Sequence, residues 1–334
     1  MNGNIIKNNI KEFIGSFGDI GTFIPLAISL ILINGINPTS LFVVAGMTYV
    51  LCGLYFKIPM PVQPMKMIAV AAIATGAEPE RLTVAGIIIG ILFIVFYTTK
   101  IIEIVNKFFN PVIVKGIQFG LGIMLIINGI KLLFKYNNYP SNILFDFGPV
   151  IPNYNFPSIN DFLFAFIVFV LPQLPVTIGN SIVATVDASK VYFKGNSVRV
   201  TPSTLSFSLG LANIVSGILG GIPLCHGSGG LTAHYCFGAR TGKAGIIIGT
   251  VFVLLGIFFG KSIINIVSFI PFSVLGVFII YVGIRHALLI KCLFNQKQNL
   301  ILSTLIGVLC VIINLPAAIS IVLISNLIFK FAVK

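Results

Sequence analysis

A chain of 334 residues with 57% hydrophobic and only 9% charged side chains has too little charge for a water-facing surface, because soluble domains carry about 25%. The formal net charge of +13 would suit a nucleic-acid binder, yet the basic residues stand singly or in small clusters between apolar runs. That placement is the positive-inside pattern, so composition excludes a soluble enzyme and a nucleic-acid module and predicts an all-α polytopic protein of the cell membrane.

The opening "MNGNIIKNNIKEF" is too polar for a signal peptide. Apolar segments then recur at 14–34, 40–56, 63–76, 82–99 and 111–134, each read against the roughly 20 residues that cross a bilayer. A polar, proline-rich connection follows, "KYNNYPSNILFDFGPVIPNYNFPSIND". Further segments are expected at 161–186, 203–219, 227–239, 244–260, 263–284, 299–314 and 317–331. Those at 63–76 and 227–239 are too short to cross about 30 Å, and both follow proline-bearing stretches. Five scattered cysteines without C-x-x-C spacing argue against a disulfide framework or a zinc site. With tryptophan absent, Tyr, Phe and basic side chains must anchor the interfaces.

The basic residues orient this map. Lys7 and Lys11 precede the first span, and Lys57, Lys100, Lys107 and Lys115 fall at loops on one side. No Lys or Arg lies between Tyr136 and Ser189; Lys190, Lys194, Arg199, Arg240, Lys243, Arg285, Lys291 and Lys297 follow. Arg81 and Lys261 are single exceptions. Both termini are therefore expected in the cytoplasm, with residues 136–160 as an extracytoplasmic loop. About five segments in 1–135 and about seven in 161–334 would have opposite orientations, each with one short proline-led segment. That is the pattern of an inverted-repeat transporter with two half-helices meeting at the midplane.

Irregular backbone at membrane depth is tolerated where it lines an enclosed cavity. "PMPVQPMK" and "GGIPLCHGSGG" would each aim a helix N-terminus at one point, and each terminus offers free N–H groups and roughly half a positive charge. Such a point suits an anion. In this reading the first half-helix starts near Gln63, whose amide is a donor, and Lys66 adds a fixed charge. Gly227, Gly229 and Gly230 let backbone N–H groups close on a small ligand, and His226 and Ser228 add donors. The total charge would match a dianion. Plainer readings stand beside these: Lys66 snorkelling to the interface, the glycines packing helices, His226 as a satisfied packing residue. His234 and His286 read as structural.

Two acids stand out, Asp19 inside a span and Asp187 at a span's end. Asp187 reads as an interfacial cap. Asp19, in "FGDIGTFIP", is a functional candidate because an intramembrane carboxylate is costly, with the cap of a helix break as its alternative. At ~8 Å from a dianion and an effective dielectric of ~20, repulsion of about 4 kcal/mol would favour a proton on Asp19, hence proton–anion symport. "LPQLPVTIGNS" supplies the neutral groups Gln173, Thr177 and Asn180, for an anion pocket or for bridging helices.

Together "FGDIGTFIPL", "PMPVQPMK", "PQLPVTIGNSI" and "PLCHGSGGLTAHYCFGARTG" resemble the molybdate transporter family related to the sulfate permeases, over nearly the whole chain. The resemblance implies core and gate domains and a tetrahedral oxyanion held between the third and tenth segments, here 63–76 and 227–239. It carries over Asp19, Gln63, Lys66, Gln173, Asn180, His226 and Ser228 as site residues. The chain departs from the sulfate permeases in having no soluble regulatory domain expected at its C-terminal end. Its first half also holds five segments where the family has seven. The expectation is a secondary active importer of an oxyanion, molybdate first, with tungstate or sulfate as further substrates and H+ as coupling ion. A sulfate or organic-anion carrier and an anion channel are the alternatives. No Walker motif and no nucleophile–base spacing point to an enzyme. No cofactor and no metal are expected; the bilayer is the partner, with a homodimer left open.

Overall fold

The computed structural model describes residues 2–102, 111–134, 146–152, 156–263, 271–313, 318 and 321–322. Most of the segment expected at 317–331, Lys107 and part of the 136–160 connection lie outside them. The described residues are mostly helical. The span expected over 14–34 is two helices, α1 (Asn2–Ser16) and α2 (Ile20–Asn34), broken at Phe17–Asp19. The break follows close approach: a Cβ on Gly18 would stand 2.8 Å from the Ala233 carbonyl oxygen.

Helices α3 (Pro38–Phe56) and α5 (Pro79–Thr98) both begin with proline at the first position, where a missing N–H costs nothing. Asn37 caps α3 by accepting from the Ser40 N–H at 2.9 Å. Between them lie β1 (Gln63–Pro64) and α4 (Lys66–Thr75), so the helix expected to start near Gln63 starts three residues later. Helix α6 (Pro111–Leu133) follows.

Residues 159–193 form one bent helical run of α7 (Ile159–Phe164), α8 (Leu171–Val176) and α9 (Thr185–Phe193). Wide π-type turns at Ala165–Val170 and Thr177–Ala184 join them. Pro172 and Pro175 cannot donate to the helical ladder, and the wide turns absorb that loss with a bend of 44°. Helix α10 (Pro202–Ile218), strand β2 (Leu224–Cys225), α11 (Ser228–Cys236), α12 (Lys243–Phe259), α13 (Phe272–Ala287) and α14 (Lys297–Ile312) complete the described elements.

Partners in this packing come from opposite halves of the chain. Helix α3 lies on α12, α5 on α10, and α6 on α13 and α14. Small residues set these crossings. A Cβ on Gly46 would be 2.5 Å from the Gly249 carbonyl oxygen, and one on Gly249 equally close to that of Gly46. Backbones meet directly, as tight membrane crossings require. Among the described residues four helical stretches are long and apolar enough to cross a bilayer, Asn9–Ile31 across the α1–α2 break, α3, α5 and Lys243–Ser262, or five with the bent run. At about 15 Å and about 14 Å, α4 and α11 are half-spans.

The structure corrects two readings of charge. Lys115 is not at a loop but buried in α6, 5% exposed, and Asp187 is not a cap but its partner, Nζ to Oδ2 2.6 Å. Gln118 also donates to Asp187 at 3.0 Å. A single sequence does not show which helix faces which. The Asp187 side chain is about one third exposed, Lys115 only 6%, so the two removals differ. Asp187→Asn strands a buried ammonium and is expected to cost about 2–3 kcal/mol, less than a fully buried pair would lose. Lys115→Met should cost less than half as much. Thermal unfolding in detergent reads both; the reverse order would contradict this account.

Candidate functional site

Strands β1 and β2 pair antiparallel, Gln63 opposite Cys225 and Pro64 opposite Leu224. The prolines explain why this ribbon survives at membrane depth: Pro59, Pro61 and Pro64 carry no N–H that would need a partner. Its remaining groups are met by the protein. Met65 N–H donates to the Pro223 carbonyl at 2.8 Å. Asn213 of α10 clips the outer edge of β2, donating to the Leu224 carbonyl and accepting its N–H, both at 2.8 Å. The ribbon therefore sets α4 and α11 with their N-termini at one place.

Asp19 and Gln63 occupy that place, both buried to 1% exposure. The Gln63 amide nitrogen donates to both carboxylate oxygens, at 2.6 and 2.8 Å, and the Tyr49 hydroxyl donates to Oδ2 at 3.5 Å. Asp19 sits where a cap for α2 would, but its carboxylate makes no bond to the helix N–H groups. It turns inward instead. The half-buried Lys66 is the first residue of α4, and its charge acts on Asp19.

Gly227 and Gly230 pack directly against this pair. A Cβ on Gly227 would come within 2.5 Å of Gln63 Oε1, and one on Gly230 within 2.5 Å of Gln63 Nε2 and 2.6 Å of Asp19 Oδ2. Ser228 and Gly229 are the first two residues of α11. The Ser228 hydroxyl donates to Asn180 Oδ1 at 2.6 Å, and Thr185 ties the Asn180 and His226 carbonyls at 3.0 and 2.8 Å.

Two residues expected to donate to a ligand are committed elsewhere in this state. Gln173 Oε1 accepts the N–H groups of Met67 at 3.1 Å and Ile68 at 3.4 Å, capping α4, while its amide donates to Thr177 at 2.9 Å. His226 Nδ1 lies 2.8 Å from the Pro61 carbonyl, so it must carry the proton; Nε2 accepts from Ser208 at 2.9 Å. Its ring pins β1 from behind. His234, read as structural, bonds the Gly15 carbonyl at 2.8 Å.

Tyr49, Thr185, Ser208 and Asn213 join the site without having been singled out. Asn213, a lone amide in the apolar run "LGLANIVSG", carried the one local signal of the four. Among the described residues no group of three or more His, Cys, Asp or Glu could hold a metal ion. The arrangement brings two helix N-termini, Lys66 and one buried carboxylate together, with Gly227 and Gly230 packed directly on the Asp19–Gln63 pair.

A family model described as molybdate transporter of MFS superfamily matches residues 11–125 and 165–285. Molybdate transporter 2 of Arabidopsis thaliana is 25% identical over 385 aligned residues, covering 89% of this chain and 82% of its own. Molybdate transporter 1 of the same plant is 26% identical over 369, covering 85% and 80%. Among solved structures, SLC26A9 shares the fold with a TM-score of 0.50 at 11% identity, across 98% of this chain and 66% of that longer one. The matched stretches span most of the chain and take in every site residue named above: the chain belongs to the molybdate transporter family.

Proposed function

We propose that this membrane protein imports a tetrahedral oxyanion, molybdate first, by proton-coupled alternating access. The observation that carries the reading is the β1–β2 ribbon, which brings two half-helix N-termini together on the Asp19–Gln63 pair. An inverted repeat is supported by the reciprocity of the packing: α3 on α12 mirrors α10 on α5, and β1 pairs with its own counterpart. Residues 1–135 and 161–334 would then be the two repeats.

The coupling follows from hydrogen-bond bookkeeping. While Asp19 is ionised, it holds the Gln63 amide donor. A proton on Asp19 removes the repulsion of a dianion and one of the two acceptors that hold that amide, which frees one of its N–H groups for the substrate beside Lys66, Ser228 and Gly229. Gln173 Oε1 occupies two N–H groups that an anion oxygen would use, so it swings aside when substrate enters. The half-helix dipoles and Lys66 supply the balancing charge.

Equilibrium binding of molybdate to the purified protein tests the substrate, with tungstate, sulfate and uracil as competitors. Submicromolar binding displaced by tungstate and poorly by sulfate is expected. Preferential sulfate binding would reassign the substrate, and no oxyanion binding would refute the reading.

A further inference from the structure

Apart from the proposed oxyanion site, α3 and α10 leave between them a crevice of about 440 Å³ with a mostly apolar lining. Met47, Leu51, Phe207 and Leu211 along it are between 44% and 59% exposed, although each stands on a membrane helix. Its deep wall holds Cys52 and Ser208, the latter bonded to His226.

One end differs in character. Tyr55, Phe56 and Tyr97 line it, where α3 and α5 finish and α10 begins. Exposed Lys57 directly follows Phe56, exposed Lys100 stands three residues beyond Tyr97, and exposed Arg199 donates to the Tyr55 carbonyl at 2.8 Å. Among the described residues none of these three cations is in an ion pair. An apolar slot with tyrosines at one end, Arg199 bonded to one of them and Lys57 and Lys100 close by in the chain, matches an amphiphile with a fatty chain and an anionic head.

We infer that this crevice is a binding seat for one anionic phospholipid, its acyl chain between α3 and α10 and its phosphate at Arg199, Lys57 and Lys100. The seat is separate from the oxyanion site and stands whether or not that site binds molybdate. It meets the site at His226, which Ser208, Cys52 and Phe56 of the crevice all contact and whose ring holds the Pro61 carbonyl.

Native mass spectrometry of the protein from bilayers with equal phosphatidylglycerol and phosphatidylcholine reads the seat. The wild type should retain phosphatidylglycerol over phosphatidylcholine by about tenfold, a difference of about 1.4 kcal/mol. Arg199→Gln combined with Lys57→Gln should erase that preference. Leu211→Trp, which plugs the slot and leaves every charge in place, should remove retained lipid of either kind. Equal retention of both lipids by the wild type would overturn the inference, as would indifference to Leu211→Trp. So would a dimer that buries this face and carries no lipid there.

Discussion

Asp19→Asn is expected to flatten the pH dependence of oxyanion binding and to cut proton-driven accumulation at least tenfold. In the wild type a buried carboxylate stands at the proposed oxyanion site, and its charge opposes a dianion by about 4 kcal/mol at ~8 Å and an effective dielectric of ~20. Affinity should therefore fall as pH rises and Asp19 loses its proton. Asparagine keeps the shape and one acceptor for Gln63, so the fold should hold, but it imposes the neutral state at every pH. Binding by the variant should stay near the low-pH wild-type level throughout, while uptake no longer responds to a proton gradient. Binding isotherms at several pH values, with uptake into vesicles under an imposed gradient, separate the two effects. An unaltered pH profile in the variant would remove Asp19 from the coupling.

Gly230→Ala should weaken oxyanion binding by about 5- to about 150-fold, the fold-change that matches an overpacking cost of about 1–3 kcal/mol. The added methyl would stand 2.5 Å from Gln63 Nε2, 2.6 Å from Asp19 Oδ2 and 2.7 Å from the Pro61 Cβ. None of the three can retreat easily, because Gln63 and Asp19 hold each other and Pro61 is pinned by His226. Gly195→Ala is the matched control: a Cβ there meets nothing within 4 Å, and both folding and binding should be unchanged. Calorimetric titration reads the difference, and equal affinities for the two variants would mean that the oxyanion site lies elsewhere.

The helices were legible because each starts and stops on strong local chemistry. Pro38, Pro79 and Pro202 sit at first positions and Gly35 and Gly76 at left-handed ends, so α3, α5 and α10 fall within a few residues of where hydropathy puts them. The short segments led by Pro61 and Pro223 were legible as broken helices for the same reason. Their pairing was not. Nothing near Gln63 says that its strand partner is Cys225, since register between distant segments is decided by the packing of everything between them. Side-chain allegiance was equally hidden: Gln173 reads as a ligand donor in isolation, and only the position of α4 shows its oxygen capping Met67 and Ile68. The mistake over Lys115 has that origin too, because a lysine at an interface and a lysine paired inside a bundle have the same neighbours in sequence.

The ribbon has a consequence for how the protein is made. Residues 63–64 must wait for residues 224–225, and at about 5–20 residues per second that wait lasts about 10–30 s. For that interval the nascent first half has Asp19 and Gln63 formed as a pair at most; α5 lacks α10 until residue 218 is made, and α3 lacks α12 even after β2 has arrived. Synthesis paused before Leu224 would leave β1 without its strand partner although α5 and α10 are both already made.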